Sequence, residues 1–318
     1  MKARCTLARL PENPRVSVIV PSFNQGRYIR QTLESCLSQD YRPIEILVID
    51  GASSDSTVTV LHDYDRVPEI RWQSEPDKGP VDAVNKGLAL ATGEIGLIQS
   101  ADDLSTSGAF LAAVEAFRTT PDVGLVYGDV EMMSKEGEPR QRIETGAYSL
   151  LSLFARCTWV PQPSGFFRVD LARRLGGWDD RFPYCPDTEL WFRLALSSRV
   201  RKLNRVLGRT RVHEAQRDQR KVEVYASCER MVRESEMLAN SPLHCRMALL
   251  AGVQLAKLRY NPGLTDRALC RSLWKAVVLY PPCLLSPALP KHRLVPRYFL
   301  LAGWAGAIRR RLWRKQKP

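Results

Sequence analysis

The stretch Ile95-Gly-Leu-Ile98-Gln-Ser-Ala-Asp102-Asp103 joins a short apolar run to two adjacent carboxylates. Residues 95–98 have the length and composition of a buried strand. In an open α/β sheet, ligands bind just beyond the carboxyl ends of the strands, which is where Asp102 and Asp103 fall. An acidic pair in that position needs a cationic partner. The stretch therefore predicts a site for a hard cation such as Mg²⁺ or Mn²⁺.

Upstream of this stretch, strand-like and helix-like segments alternate. Apolar, mostly β-branched runs at 16–20 and 44–49, and a shorter run at 70–73, predict three more strands. Apolar residues at helical spacing follow the first run (Ile29, Leu33, Cys36, Leu37) and precede the acidic stretch (Val81, Val84, Leu88, Ala91). This alternation predicts an α/β fold with a parallel, doubly wound sheet and right-handed crossovers.

Downstream, the pattern becomes less regular. Residues 109–117 are predicted to form a helix and residues 123–127 a strand. Residues 129–165 contain several glycines and prolines, so we expect hairpins and an active-site loop there. Asp187 is predicted to open a helix, and residues 206–213 to form the final strand before the chain becomes helical and basic.

The net charge of +13 comes from the C-terminal third of the chain. Residues 1–213 carry 27 Lys and Arg against 27 Asp and Glu, whereas residues 214–318 carry 20 against 7. No acidic residue follows Asp266. This asymmetry predicts a neutral body with a basic appendage, whose partner would be anionic lipid or nucleic acid. A solvated basic tail is the alternative.

Composition and cysteine spacing narrow the class of protein. The 318 residues are 44% apolar, which suits one large domain or two of ordinary size and excludes a disordered or fibrous chain. The eight cysteines include no Cys-x-x-Cys pair, so neither a disulfide framework nor a zinc site is predicted. We expect reduced thiols in a cytosolic protein. Residues 1–15 lack an apolar core of signal-peptide length, so export is not expected.

Two common phosphate-binding motifs are absent. The sequence has no Gly-x-x-x-x-Gly-Lys-Ser/Thr, and no Gly-x-Gly-x-x-Gly between its first strand and helix. A nucleotide would therefore have to be held differently. Asp50, at the end of the second predicted strand, could accept a hydrogen bond from a base or ribose. Asp102 and Asp103 could bring a divalent cation to the phosphates and offset the charge of a departing diphosphate.

Five motifs occur in a fixed order along the first part of the chain. They are Pro21-Ser-Phe-Asn24, Asp50-Gly-Ala-Ser-Ser-Asp55, Ser74-Glu-Pro-Asp-Lys-Gly79, Asp82-Ala-Val-Asn-Lys-Gly87 and Ala101-Asp-Asp103. Together they resemble family 2 of the glycosyltransferases, which has the GT-A fold, and most closely its bacterial cell-surface polysaccharide branch. The resemblance implies a GT-A domain at residues 14–220, followed by a helical, basic region at 221–318.

The resemblance also implies an activity and a set of donor residues. The activity is an inverting transfer from a nucleotide-sugar, usually a UDP-sugar, to a hydroxyl of a lipid-linked or polysaccharide acceptor, with Mg²⁺ or Mn²⁺. Asp50 would contact the nucleobase, Asp103 would be the principal metal ligand, and Asp102 would lie on the ribose side or support the metal. The other donor-pocket residues implied are Pro21, Asn24, Asp77, Lys78 and Asp82. Turn or helix-cap roles for Asp50 and Asp55, and solvent-facing positions for Asp82 and Asn85, are the structural alternatives.

Three later segments resemble the acceptor half of the family: Gly165-Phe-Phe-Arg168, Gly176-Gly-Trp-Asp179 and Pro186-Asp-Thr-Glu-Leu-Trp-Phe-Arg193. By this resemblance Asp187 is the catalytic base that deprotonates an acceptor hydroxyl, and His213 meets the metal or the diphosphate. The alternatives are that Asp187 is only a helix N-cap and that Glu189, on another helix face, is the base. Trp178 and Trp191 are predicted to be core residues rather than sugar-stacking platforms.

The C-terminal end combines apolar and basic residues. Residues 298–308 carry no charge and precede Arg309-Arg-Arg-Leu-Trp-Arg-Lys315. As a helix, the uncharged part would be roughly 16 Å long, which is too short to span about 30 Å of hydrocarbon. A segment lying on an anionic membrane is therefore predicted, and the enzyme is expected to be cytoplasmic and peripheral on the inner face of that membrane. A helix packed on the body is the alternative, and nucleic acid is a weaker partner because no binding module accompanies the charge.

Two other functions stay open at this point. Pro186 stands where many members of the family have a second acidic residue. A non-catalytic nucleotide- or partner-binding member of a polysaccharide assembly complex is therefore one alternative. A transferase that places sugar on a polyprenyl phosphate is the other.

Overall fold

The computed structural model describes residues 7–120, 122–213, 220–261 and 263–285. The first part of the chain alternates strand and helix as the sequence predicts. Its elements are β1 Val16–Ser22, α1 Ile29–Leu37, β2 Ile44–Asp50, α2 Thr57–His62, β3 Ile70–Ser74, α3 Pro80–Leu90, β4 Ile95–Ile98, β5 Leu104–Ser105 and α4 Ala109–Thr119.

The second part is a mixture of strands and helices that becomes all-helical. Its elements are β6 Val123–Met133, β7 Pro139–Ile143, α5 Leu150–Phe154, β8 Gly165–Arg168, α6 Val169–Arg174, α7 Pro186–Ser197 and β9 Arg199–Arg211. The helices that follow are α8 Lys221–Glu234, α9 Glu236–Ala239, α10 Leu243–Tyr260 and α11 Asp266–Leu279. Short 3₁₀ helices lie at Gln162–Ser164 and Pro281–Leu285.

The strands form one nine-stranded sheet in the order β3-β2-β1-β4-β8-β6-β9-β5, with β7 paired to β6. The neighbours β3-β2, β2-β1 and β1-β4 are parallel, and so is the pair β6-β9. β8 lies antiparallel between β4 and β6. The predicted α/β sheet is therefore confirmed, and its parallel half brings the loops that follow β1, β2, β3 and β4 to one edge.

Hydrophobic residues on both faces explain why β1 is a central strand. Val18 belongs to the cluster that β1 forms with α1 and α4, whereas Ile19 belongs to the cluster on the side of α3 and α7. Successive side chains of a strand point to opposite faces, so a continuous apolar run suits a sheet covered on both sides. On one side α3 lies very close, because a Cβ at Gly87 would be 2.5 Å from Cγ2 of Ile19.

Two strands are longer than the sequence predicts. β6 continues past residue 127 to Met133, and β9 begins at Arg199 rather than at residue 206. Asp129 interrupts the apolar pattern of β6, but it is buried and pairs with Arg142 at 2.7 Å and Lys202 at 3.2 Å. These partners are distant in sequence, so local pattern reading misses them. The hairpin expected in residues 129–165 is present as β6-β7.

The C-terminal helices share a hydrophobic cluster with the sheet domain. Cys228 of α8 and Leu249 of α10 belong to the same cluster as Phe154 of α5 and Phe192 of α7. In the part of the chain that the structure describes, no helix is both long and apolar enough to cross a membrane. The predicted membrane segment at 298–315 lies outside the described residues. The domain boundary at residue 220 stays a prediction.

Candidate active site

A cavity of about 730 Å³ lies at the carboxyl edge of the parallel strands. Its wall includes residues from the five motifs in the first part of the chain and from the later segments that resemble the acceptor half. The predicted site residues that line it are Pro21, Asp77, Asp102, Asp103, Asp187 and His213. Four other predicted residues are not part of the wall: Asp50 is the last residue of β2, Asp82 lies on α3, and Asn24 and Lys78 lie in loops.

Asp50 holds the loop after β2 in place. Its buried carboxylate accepts hydrogen bonds from the backbone N–H of Ser53 at 2.9 Å and from the hydroxyl of Ser74 at 2.7 Å. The Ser53 hydroxyl donates to the same group. Asp50 thus has the structural turn role that was the alternative to ligand binding. Its contact with a nucleobase stays a prediction.

The loops after β1 and β2 are bonded into one unit. Asn24 has a left-handed backbone with a φ of 54°, its N–H donates to Ser53 Oγ at 2.7 Å, and its Oδ1 accepts from Ser54 N at 2.9 Å. Asp55 accepts hydrogen bonds from the backbone N–H groups of Gly26 at 3.0 Å and Thr57 at 2.9 Å. The first two motifs therefore form one hydrogen-bonded surface at this edge, which a ligand bound there would contact.

The turn before α3 is fixed by its own carboxylates. Asp77 accepts a hydrogen bond from Gly79 N at 2.7 Å, and Asp82 accepts one from Lys78 N at 3.2 Å. Asp82 also pairs with Lys86 at 3.3 Å. Of these residues, only Asp77 and Gly79 reach the cavity wall.

The acidic turn after β4 carries two carboxylates with different surroundings. Asp103 is buried, and it accepts hydrogen bonds from Arg211 N at 2.9 Å and from the side chain of Thr210. Burial, and then the neighbouring charge of Asp102, raise the pKa of Asp103 well above its ordinary value. His213 lies with its Nε2 2.8 Å from Oδ2 of Asp102. The structure therefore brings Asp102, Asp103 and His213 together, and the imidazole of His213 contacts the carboxylate of Asp102.

Arg211 organises this turn, and sequence reasoning missed it. Its buried guanidinium donates from Nε to Asp102 O at 2.8 Å, from Nη1 to Lys135 O at 2.9 Å and from Nη2 to Gln31 Oε1 at 2.8 Å. It also stacks over the ring of Tyr28, 4.6 Å from the centroid. The side chain thus ties the acidic turn to α1 and to the loop after β6. Its partners lie 76 to 180 residues away in sequence, so no local signal points to this role.

The acidic turn fits a divalent cation that takes most of its ligands from a bound diphosphate. Within the described residues, no group of three or more His, Cys, Asp or Glu side chains is arranged to hold a metal ion. Mg²⁺ is commonly bound through one or two carboxylates together with substrate phosphates and water. The two carboxylates of this turn are oxygen donors of the kind that Mg²⁺ and Mn²⁺ accept.

The first turn of α7 presents Asp187 to the cavity. Cys185 is the N-cap residue and Pro186 occupies the first helical position, where its missing N–H costs no hydrogen bond. Asp187 therefore lies inside the first turn, and the alternative that it is merely the N-cap residue is wrong. Thr188 and Trp191 line the cavity beside it. Trp191 is also buried, as predicted.

Glu189 is a structural residue of α7. Its buried carboxylate accepts from Arg193 Nε at 2.7 Å and from Ser235 Oγ at 2.9 Å. Arg193 in turn donates to Gly177 O at 2.6 Å. Because Glu189 is enclosed in this network and is not part of the cavity wall, it is a poor substitute for Asp187 as a base.

Replacing Glu189 by Gln is expected to lower the free energy of unfolding by about 3–5 kcal/mol, because the buried guanidinium of Arg193 loses its counter-charge. Urea denaturation measures the change, with the exposed Glu223→Gln on α8 as the matched control. Transfer per folded molecule should stay close to that of the parent protein. A Glu189→Gln variant that is as stable as the parent protein but inactive would identify Glu189 as the base instead.

Other contacts connect the acceptor half to the donor half. Gln162, the first residue of a short 3₁₀ helix, donates to Ser100 Oγ at 2.9 Å beside the acidic turn. Asn85 of α3 accepts from Trp178 N and donates to Trp178 O, both at 2.8 Å. The alternative that Asn85 simply faces solvent is therefore wrong. Gly165–Arg168, assigned to the acceptor half by resemblance, is the buried strand β8 in the middle of the sheet.

Several cavity residues were not singled out from the sequence. They are contributed by the loop before β8 and by the segment before α7, and they include Arg156, Thr158, Trp159, Gln162 and Tyr184. For those within residues 129–165, the available signal was the glycine and proline content from which an active-site loop is expected. Loop residues of this kind reach the cavity through tertiary packing, which periodicity does not report.

The fold is that of the GT-A glycosyltransferases. The structure is similar to S. aureus TarS residues 1–349 in complex with UDP-GlcNAc, with a TM-score of 0.64 and 17% identity over 84% of this chain and 82% of that one. It is also similar to the mannosyltransferase PcManGT from Pyrobaculum calidifontis in complex with GDP-Man and Mn²⁺, with a TM-score of 0.60 and 21% identity over 95% and 84% of the chains. At these identities the likeness concerns the fold alone.

Sequence comparison gives the family. The model of glycosyl transferase family 2 matches residues 17–174. An uncharacterized glycosyltransferase of Mycobacterium tuberculosis is 37% identical over 186 residues, which are 58% of this chain and 70% of that relative. The poly-beta-1,6-N-acetyl-D-glucosamine synthase of Staphylococcus epidermidis is 27% identical over 173 residues, 52% of this chain and 42% of that enzyme. The chain belongs to glycosyltransferase family 2 and is a glycosyltransferase.

Proposed function

We propose that this glycosyltransferase moves a sugar, with inversion, from a UDP-sugar to a hydroxyl group of a lipid-linked or polysaccharide acceptor. The observation that carries the proposal is that Asp187 and the acidic pair Asp102-Asp103 line the same cavity although they come from distant parts of the chain. The cavity volume of about 730 Å³ lies within the usual range for small-molecule sites.

Asp187 acts as the base in this proposal. An ionised carboxylate on the cavity wall accepts the proton of an acceptor hydroxyl as its oxygen attacks the anomeric carbon. The attack comes from the face opposite the leaving diphosphate, so the configuration at that carbon inverts. Glu189, the other acidic side chain in this turn, is already paired with Arg193 and unavailable for the same task.

The acidic turn binds the leaving group. Asp103 is the principal ligand for Mg²⁺ or Mn²⁺, and Asp102 and His213 support it. A bound divalent cation supplies positive charge that offsets the charge developing on the diphosphate oxygen. The hydrogen bond from Arg211 N and the burial of Asp103 hold its carboxylate in one orientation.

The donor half binds the nucleotide. Asp50 contacts the nucleobase, and Pro21, Asn24, Asp77, Lys78 and Asp82 surround the ribose and phosphates. The bonded loops after β1 and β2 support this assignment because their mutual hydrogen bonds fix the shape of this edge of the sheet. The complex of TarS with UDP-GlcNAc favours a uridine donor, whereas that of PcManGT with GDP-Man and Mn²⁺ makes a guanosine donor the natural competitor in a test.

A thermal-shift panel tests donor and cation together. We expect a UDP-sugar with Mn²⁺ to raise the melting temperature, because a ligand present at about 100 times its Kd stabilises a protein by about 2.7 kcal/mol. GDP-Man with Mn²⁺, and each nucleotide sugar in the presence of EDTA, should give little shift. A larger shift with GDP-Man, or a shift that EDTA leaves unchanged, would contradict the proposed donor or the proposed cation.

We also propose that residues 14–220 are the catalytic domain and that the basic region 221–318 holds it on an anionic membrane surface. The charge distribution supports this, since residues 214–318 carry 20 Lys and Arg against 7 Asp and Glu. At low salt, the full chain should sediment with vesicles that contain anionic lipid. It should stay in the supernatant when the vesicles are zwitterionic. Equal binding to both kinds of vesicle would argue against an electrostatic membrane contact.

A further inference from the structure

Two buried cysteines lie against each other beside the proposed base. Cys185 is the N-cap residue of α7, two positions before Asp187, and it lines the cavity. Cys228 lies on α8 and is 1% exposed. Cys185 Sγ lies 3.5 Å from the hydroxyl of Ser227, which is the residue before Cys228 on α8, and each of the two thiols shifts the pKa of the other. The two sulfurs are therefore already neighbours in the folded protein.

A guanidinium group completes this cluster. Nη1 of Arg156 lies 3.1 Å from Sγ of Cys228. The hydrogen bond from Cys185 lowers the pKa of the Cys228 thiol, and the charge of Arg156 lowers it further against the opposing effect of burial. The same hydrogen bond and burial raise the pKa of Cys185. The pKa of Cys228 is thus the lower of the two, so Cys228 is the thiol that loses its proton more readily, and the thiolate is the form that reacts.

Other described buried cysteines lack these surroundings. Burial raises the pKa of Cys36 to about 11, although the hydroxyl groups of Ser105 and Ser35 lie close to it. Burial also raises the pKa of Cys245, and it raises that of Cys283 to about 11. Buried thiols in apolar surroundings are inert. The Cys185–Cys228 pair therefore differs from its neighbours in chemistry as well as in position.

We propose that Cys185 and Cys228 are a redox-sensitive modification site, that hydrogen peroxide converts them to a disulfide, and that this bond suppresses sugar transfer. Cys185 and Arg156, which adjoin Cys228, are part of the cavity wall, so the oxidant approaches Cys228 from the cavity past these two side chains. Disulfides that form in reducing compartments are typically transient and redox-sensing. The effect on transfer rests on the proposed role of Asp187, whereas formation of the disulfide does not.

The oxidation takes place in two balanced steps. The thiolate of Cys228 attacks one oxygen of hydrogen peroxide, the O–O bond breaks, and a sulfenic acid forms while the departing hydroxide takes up a proton to give water. Cys185 then loses its proton and attacks the sulfenic sulfur, so that the S–S bond forms and the S–O bond breaks. The second hydroxide takes up the proton from Cys185. Two thiols and one peroxide give one disulfide and two waters.

The covalent bond changes the start of α7. A disulfide holds its sulfur atoms at about 2.05 Å with a defined dihedral angle, which is closer than two thiols in contact. Residue 185 is therefore drawn toward α8, and Asp187 in the adjoining first turn moves with it. Displacements of about 1 Å in a catalytic group lower rates by about a hundredfold.

The test uses the full-length protein and two independent readouts. After treatment with hydrogen peroxide, free thiols are alkylated and the protein is digested without reductant, and mass spectrometry identifies linked peptides. Transfer is measured before oxidation, after it, and after reduction with dithiothreitol. The variants are Cys228→Ser and Cys228→Ala, and the matched control is Cys245→Ser, which removes another buried thiol.

We expect a 185–228 linkage in the parent protein and in Cys245→Ser, together with a reversible fall in transfer of at least tenfold. Each Cys228 variant should keep its own untreated activity after peroxide. Arg156→Gln should slow formation of the linkage several-fold, because the thiolate loses its counter-charge.

Absence of a 185–228 peptide overturns the modification site. A complete linkage with unchanged transfer, or an equal loss of transfer in the Cys228 variants, overturns its regulatory effect. Failure of every preparation to transfer sugar would count against the proposed function, and the peptide readout would still decide the disulfide.

Discussion

Replacing Asp187 by Asn is expected to lower kcat for sugar transfer by about 10²–10⁴-fold, the usual contribution of a general base. Asn keeps the size of the side chain but cannot accept the proton of the acceptor hydroxyl. Binding of the donor should change little, because the donor loops follow β1, β2 and β3, whereas Asp187 lies on α7. Initial rates at saturating donor and acceptor measure the effect, and thermal-shift titration of the UDP-sugar measures donor binding.

Asp180→Asn is the matched control for this variant, since Asp180 is an exposed carboxylate in the turn that precedes α7. It should retain the activity of the parent protein. A loss confined to kcat in Asp187→Asn, with the melting temperature unchanged, supports a group that acts in the transition state. An Asp187→Asn variant within a few-fold of the parent rate would remove Asp187 from the mechanism.

Replacing Asp103 by Asn is expected to lower transfer by roughly three orders of magnitude, because stabilisation of a leaving oxyanion by a bound ion is worth several kcal/mol. The amide oxygen of Asn can still accept the hydrogen bond from Arg211 N, so the fold should tolerate the change. The metal-dependent thermal shift with a UDP-sugar should disappear. Enzyme assays across a Mn²⁺ titration, together with the shift, measure both consequences.

Two comparisons sharpen the Asp103 result. Asp63→Asn, at an exposed position paired with Arg30, is the control for loss of one negative charge. Asp102→Asn removes the carboxylate that contacts His213 and should weaken Mn²⁺ binding less than Asp103→Asn does. If Asp103→Asn keeps a metal-dependent shift while Asp102→Asn loses it, Asp102 is the principal ligand and the assignment of the pair is reversed.

Periodicity was sufficient to predict the parallel half of the sheet. The runs that form β1, β2 and β4 are buried almost throughout, so their composition reports their environment directly. The acidic turn after β4 was also predictable, since a strand that ends in two carboxylates is conspicuous in any α/β pattern. Asp187 required the resemblance to a family, because an Asp in the first turn of a helix is common on stability grounds alone.

Long-range pairing explains what the sequence did not predict. The first half of β9 is charged and partly exposed, and it becomes a strand because it pairs in parallel with β6. Asp129 and Arg211 are buried charged residues whose partners are supplied by other segments of the chain. No window of neighbouring residues contains that information. The same reason hides the Cys185–Cys228 contact, which joins positions 43 residues apart with no recognisable spacing.

Asp50 illustrates how one residue can satisfy a structural and a functional expectation together. Its carboxylate orders the loop after β2, which the turn chemistry of Asp and Ser predicts. A carboxylate has about four acceptor positions, so three internal hydrogen bonds leave capacity for one more donor. Contact with a nucleobase N–H is therefore compatible with the loop geometry.

The stereochemistry of slow donor hydrolysis tests the proposed mechanism most directly. When water takes the place of the acceptor, the same cavity and the same base act on the donor, and no acceptor needs to be known. Proton NMR identifies the anomer of the sugar that is released first from an α-linked UDP-sugar, before mutarotation mixes the two forms. We expect the β anomer from the parent protein and a much slower release from Asp187→Asn. Release of the α anomer first would contradict single displacement at this site.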